Sequence, residues 1–199
     1  AGASYTFRYT IPTIAGCPST YDDIIVNNGA LTLIPNAGVD DIYCNATSFV
    51  LNGSKPGPGE KGTWSIVSGQ IGATFLPNAN TPNATLTGVT TGIYILAWTI
   101  SNGSCTNADV KRIDNYATPT TANAGLDDTL CLVNSIALNA NAPVNGIGKW
   151  SQISGPNQII FDMPNNPKSQ VIGLTAGTYH FAWTISSNSC TASTDEVSI

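Results

Sequence analysis

Tyr94, Leu96, Trp98 and Ile100 alternate with Ile95, Ala97 and Thr99, and about 86 residues later Tyr179, Phe181, Trp183 and Ile185 alternate with His180, Ala182 and Thr184. A period of two with large apolar side chains on one side predicts a half-buried strand. Shorter runs of the same kind predict strands at 48–51 and 135–138, 62–67 and 148–153, 73–76 and 159–162, 84–86 and 170–172, and finally 109–113 and 195–199. Turn signals separate them: Asn52-Gly-Ser, Pro56-Gly-Pro-Gly, Ser68-Gly, Asn102-Gly, Asn145-Gly and Ser154-Gly-Pro. No segment carries a sustained helical stripe. Roughly seven short strands per copy predict an all-β fold, a two-sheet antiparallel sandwich of immunoglobulin-like type. Trp64, Trp98, Trp150 and Trp183 are expected in its cores.

The pattern is a repeat. Asn36-Ala-Gly-Val-Asp-Asp-Ile-Tyr-Cys44 returns as Asn123-Ala-Gly-Leu-Asp-Asp-Thr-Leu-Cys131, and Gly92-Ile-Tyr-Ile-Leu-Ala-Trp-Thr-Ile-Ser101 as Gly177-Thr-Tyr-His-Phe-Ala-Trp-Thr-Ile-Ser186. The spacing exceeds that of solenoid repeats, which run ~20–50 residues, and lets each copy close its own core. Residues 1–28 follow the second half of the pattern, with Tyr5, Phe7, Tyr9 and Ile11 over Tyr94, Leu96, Trp98 and Ile100. The expected domains are therefore 1–28, the last two strands of a preceding repeat, then 29–115 and 116–199, two complete sandwiches. Two strands alone are marginal in water. The apolar face of 1–28 is thus expected to be covered by a neighbouring chain, a preceding half-domain or the adjacent repeat.

Four of the five cysteines sit at equivalent places. The expected disulfides are Cys44 to Cys105 and Cys131 to Cys190, one per repeat, with Cys17 left unpaired by truncation. That usage implies an oxidising compartment. A link across the repeats, such as Cys44 to Cys190, would contradict the modular reading itself. Zinc is disfavoured by the lack of C-x-x-C spacing and by a single His.

The Asn-Ala-Gly-x-Asp-Asp opening, the Trp-Ser-x-x-Ser-Gly turn, and the Gly-x-Tyr-x-(Leu/Phe)-Ala-Trp-Thr-Ile-Ser strand with Cys-Thr behind it resemble polycystic-kidney-disease (PKD)-like modules. More narrowly they resemble disulfide-bearing repeats of giant surface proteins of Bacteroidetes-type bacteria, including gliding-motility adhesins exported by the type IX route. The resemblance implies an array of sandwiches on the cell surface, attached at the outer membrane, with neighbouring repeats and surface polysaccharide as partners.

Composition narrows the chemistry. Only 10% of residues are charged and the net charge is −5, which argues against a phosphate-binding surface and hence a nucleic-acid partner. No apolar run reaches the ~18 residues of a membrane span. Asp40, Asp41, Asp127 and Asp128, with Asp109 and Asp195 on the last strands, have the oxygen chemistry that Ca²⁺ takes. The expectation is instead that they accept backbone hydrogen bonds, as Asx residues at turns do, so that no cofactor is required. His180 stands where the first repeat has Ile95, so no nucleophile–His–acid set recurs; no enzyme is expected. Asp128-Thr129-Leu130 fits a short bacterial O-glycosylation pattern at Thr129. The Asn-x-Ser/Thr sites at Asn45, Asn52, Asn83 and Asn102 matter only in a eukaryotic secretory pathway.

The function expected is a structural and adhesive stalk segment of a large bacterial surface protein, projecting a binding tip or contributing to adhesion and gliding. The alternatives are a carbohydrate-binding or spacer module of a secreted polysaccharide-degrading enzyme, or a self-assembling surface filament. The carbohydrate reading needs an exposed aromatic platform, for which Tyr21 and Tyr116 are the candidates.

Overall fold

The computed structural model describes residues 3–13, 15–16, 18–103, 105–131 and 133–199. The described residues are all-β. A hairpin of β1 (Ala3–Ile11) and β2 (Thr20–Asn28) comes first. The first repeat follows with β3 (Asp41–Cys44), β4 (Ser48–Val50), β5 (Lys61–Ser68), β6 (Thr74–Leu76), β7 (Thr85–Thr87), β8 (Gly92–Ser101) and β9 (Thr106–Tyr116). The second carries β10 (Ser135–Ala137), β11 (Ile147–Ser154), β12 (Ile160–Phe161), β13 (Gln170–Ile172), β14 (His180–Ser187) and β15 (Cys190–Ser198). Among the described residues no helix is long and apolar enough to cross a membrane.

Each repeat builds two sheets. In the first, one sheet runs β3-β9-β8-β5 and the other β4-β7-β6; in the second, the sheets run β11-β14-β15 and β10-β13-β12. The same strands recur in the same order, with one exception. Beside β15 the segment at Asp128 makes a backbone bond to Ser198 (3.0 Å) but is too irregular to count as a strand. The strand Asp41–Cys44 is one that the alternation does not announce.

The expected faces of β8 and β14 are the core. Tyr94, Leu96, Trp98 and Ile100 are buried, as are Tyr179, Phe181, Trp183 and Ile185. Ala97 and Ala182, on the reverse face, are buried as well. Trp64 faces Trp98 across β5 and β8, and Trp150 faces Trp183 across β11 and β14. The ring centroids are 5.0 and 5.1 Å apart, and each indole N–H donates to a backbone carbonyl: Pro82, Ser54, Pro167 and Asn141 in that order. A buried indole thus keeps its hydrogen bond. Gly62 and Gly148 are glycines because a Cβ there would strike the ring of Trp98 or Trp183.

By compactness the chain forms two units. One takes Ala1–Asp41, Thr47–Val89 and Ile93–Ile113; the other takes Ile42–Ala46, Thr90–Gly92 and Asp114–Ile199.

The hairpin narrows an expectation. Tyr5, Phe7, Tyr9 and Ile11 are 51–72% exposed, so the adjacent repeat does not cover them. The hairpin is held by its own ladder from Ala3 opposite Asn28 to Ile11 opposite Thr20. It also has a two-pronged ion pair, Arg8 Nε to Asp23 Oδ1 (2.7 Å) and the second nitrogen to Oδ2 (2.8 Å).

One carboxylate belongs to the second repeat alone. The Ser169 hydroxyl (2.8 Å) first, and then the Gln170 N–H (2.7 Å), hold the Asp162 carboxyl below the usual aspartate range. A depressed folded pKa contributes stability above the ordinary value of ~4, and that contribution disappears as pH falls through the lower folded value. The first repeat has Leu76 at this position. Urea unfolding at neutral and acid pH should therefore show a smaller acid-induced loss for Asp162→Asn than for the parent chain. Equal losses would mean that the contacts do not couple to folding.

Candidate functional site

The residues singled out by sequence cluster around the last strand of each repeat. Asn36 and Asn123 open the first strand region, and each side chain accepts the N–H two residues on, from Gly38 (2.7 Å) and Gly125 (2.9 Å). Gly38 and Gly125 themselves lie at φ +83° and +96°, which only glycine adopts freely. The turn points the next N–H at the last strand. Asp109 Oδ2 accepts from Ala37 N (2.8 Å), and Asp195 Oδ2 from Ala124 N (2.7 Å).

The paired aspartates are used similarly. Asp40 accepts the Arg112 N–H (2.8 Å), and its counterpart Asp127 accepts the Ser198 N–H (2.8 Å). Asp128 accepts the Thr129 N–H (2.8 Å). Asp41 instead neutralises Lys111, whose ammonium is buried, lies 2.7 Å from the carboxylate and also donates to the Val39 carbonyl. The second repeat puts Val197 at that position and has no need of an ion pair. Asp40, Asp41 and Asp109 in the first repeat, and Asp127, Asp128 and Asp195 in the second, thus each take a separate partner. Among the described residues no group of three or more His, Cys, Asp or Glu gathers as a metal site.

The cysteines overturn the expected pairing. The bond formed is Cys44 to Cys190, with Cα atoms 5.6 Å apart, while Cys105 and Cys131 are unpaired thiols. Neither Cys44–Cys105 nor Cys131–Cys190 exists, and the bond found is the cross-repeat link that contradicts repeats closed each by itself; residues 42–46 and 90–92 accordingly group with the second repeat. The reason is the direction of the chain. The first strand region runs parallel to the last strand, since Asp40 lies beside Arg112 and the Asn45 N–H reaches the Tyr116 carbonyl (2.7 Å). Cys44 therefore stands at the far end of β9, whereas Cys105 stands just before its start. Eleven residues of strand separate these ends, about 35 Å at ~3.3 Å per residue, and a disulfide spans Cα atoms at most ~7 Å apart. In the second repeat Cys190 opens β15, while Cys131 lies beyond Asp128, which pairs with Ser198 at the strand's other end. Repeat-equivalent cysteines in one sandwich are thus kept apart by its topology. Once the parallel run is known, the order along the chain fits it: Cys105 precedes Asp109, whereas Cys44 follows Asp40. Cys17 lies outside the described residues.

The remaining candidates are less assembled. Tyr21 carries the Arg8 guanidinium over its ring (3.9 Å to the centroid), and the Tyr116 hydroxyl donates to Asp114 (3.3 Å). Tyr21 is exposed and Tyr116 half-buried. His180 Nδ1 lies 3.1 Å from the Ser198 hydroxyl, on the half-exposed side of β14. Thr129 is exposed, and so are Asn45, Asn52 and Asn83. The Asn102 amide is engaged instead, accepting from Cys105 N (2.9 Å) and donating to Ala30 O (2.8 Å).

Among known proteins, the chain is similar to the dyslexia-associated protein KIAA0319 homolog of Rattus norvegicus. The two are 27% identical over 222 residues, which cover 98% of this chain and 20% of that protein. It is also similar to the human dyslexia-associated protein KIAA0319, 24% identical over 213 residues, with the same coverage of 98% and 20%. The chain therefore spans about a fifth of the length of these curated relatives. A solved PKD domain from the KIAA 1837 protein shares 22% identity, covering 45% of this chain and 92% of that one at a TM-score of 0.38. Residues 124–199 match the family model described as K319L-like, PKD domain.

Proposed function

We propose that this chain is a structural stalk segment of a large cell-surface protein, non-catalytic and extracellular, whose sandwiches set reach and stiffness for adhesion. The observation that carries the reading is the strict recurrence of one build. The same Trp pair, the same Asx turn and the same contact of the last-strand aspartate return in both repeats. Residues that could have served chemistry are spent on holding backbone. The PKD-like match of the second repeat supports the surface setting. The narrower reading, a bacterial gliding adhesin attached at the outer membrane with an O-glycan on Thr129, draws on the motif resemblance alone; the relatives reported above are mammalian.

Replacing residues 29–199 within the parent protein by unrelated immunoglobulin-like sandwiches of equal number tests the stalk. Adhesion by the displayed protein should survive. Its loss, with surface expression unchanged, would show that these repeats bind the ligand themselves.

We further propose that the fold works without Ca²⁺. The melting temperature is expected to be the same in EDTA and in millimolar Ca²⁺. A rise of more than a few degrees with Ca²⁺ would reveal binding to the native state.

A further inference from the structure

The bond Cys44–Cys190 joins the first-strand cysteine of one repeat to the last-strand cysteine of the repeat that follows it. The two unpaired thiols among the described residues are of opposite kind. Cys131 is a first-strand cysteine, the counterpart of Cys44, and Cys105 is a last-strand cysteine, the counterpart of Cys190. Within one sandwich they cannot meet their own partners, for the reason of strand direction given above. We infer that the bond is one link of a chain of staples. By this rule Cys131 pairs with the last-strand cysteine of a following repeat of the same type, and Cys105 with the first-strand cysteine of a preceding one.

A second observation points to the same occupant. In the first repeat, the segments around Cys44 and Thr90 are tied to the chain that enters the second repeat. The Asn115 side chain donates to Ala46 O (2.8 Å) and Thr90 O (2.9 Å) and accepts from Ala46 N (3.0 Å). Asn115 is buried by these contacts. The counterparts of Ala46 and Thr90 are Val133 and Thr175, and in the second repeat they border an open cleft with Leu130, Leu174, Gly177 and Tyr179. Leu130 and Val133 are 36% and 42% exposed there. The residues needed to close this cleft are those that follow Ile113, namely Asp114, Asn115 and the repeat behind them. A following repeat would supply the same Asn, the same backbone bonds and a cysteine for Cys131.

Forming the link is an oxidation. The Cys131 thiolate attacks a small disulfide of the glutathione class and releases one thiol. The partner cysteine then displaces the second thiol from the mixed disulfide. Two protein thiols become one protein disulfide, and the oxidant leaves as two thiols.

The test extends the chain by a second copy of residues 114–199 fused behind Ile199, so that Ile199 is followed by Asp114 as Ile113 is. After oxidation with glutathione disulfide and alkylation of free thiols, peptide mapping should find Cys44–Cys190 intact and Cys131 joined to the appended copy's last-strand cysteine. Cys131→Ser should remove that second bond alone. Cys131 recovered alkylated in a folded chain, or joined to Cys190 of its own repeat, would overturn the inference while leaving the stalk reading intact. If the extended chain fails to fold, the same pairing is read on the chain itself at high concentration. Oxidation should then give dimers linked Cys131 to Cys105. Dimers linked Cys131 to Cys131, or monomers with both thiols free, would overturn it.

Discussion

Trp183→Ala is expected to destabilise the second repeat by about 3–5 kcal/mol, the usual cost of truncating a fully buried aromatic residue. Trp183 has no exposed surface, stacks obliquely on Trp150 and donates its indole N–H to Asn141 O (3.2 Å). The substitution opens a cavity under Gly148, a position already kept bare for that ring, and leaves the Asn141 carbonyl without its donor. A loss of this size is a large share of the ~5–15 kcal/mol that holds a domain folded. Urea unfolding followed by amide exchange should show the second repeat opening early while protection around Trp64 and Trp98 persists. A loss under about 1 kcal/mol would mean that the site collapses around the deletion and that the Trp pair is not the keystone of the core. Trp98→Ala should do the same to the first repeat.

Removing the Cys44–Cys190 bond, by reduction or by the double substitution Cys44→Ser with Cys190→Ser, is expected to be the other large effect. The bond closes a loop of 146 residues. On the chain-entropy model such a loop lowers the entropy of the unfolded state by the equivalent of ~5 kcal/mol, and measured effects run at or below such values. Both cysteines belong to the compact unit that contains the second repeat, so the urea midpoint of that unit should move most. Reduction that leaves every midpoint unchanged would show that the bond does not constrain the unfolded chain. Reduction that shifts only residues 61–101 would contradict the assignment of Cys44 to the second unit.

The pairing is also where sequence and structure part company. Matching Cys44 with Cys131 and Cys105 with Cys190 was correct as an equivalence. Bonding within each copy assumed that equivalent cysteines of one sandwich meet. The aspartates show why that assumption fails. The parallel run that sets Asp40 beside Arg112 carries Cys44 onward to the end of β9. Sequence distance does not reveal strand direction. The hairpin 3–28 teaches a related point. Its alternation predicted two strands, and its ladder runs as two strands should. Whether Tyr5, Phe7 and Tyr9 are covered, however, is a question about neighbours that periodicity does not address.

By itself the sequence determined the all-β class, the duplication, the positions of most strands and the Trp, Tyr and Leu or Phe side chains that fill each core. It did so because side-chain alternation and apolar burial are local consequences of strand geometry, repeated about 86 residues apart. Only the tertiary structure decided that the aspartates hold backbone N–H groups, that Lys111 is buried against Asp41, and that Cys44 bonds to Cys190. Each of those depends on which strand lies beside which, and in which direction. That choice belongs to the packing of the whole sandwich and is written in no single segment.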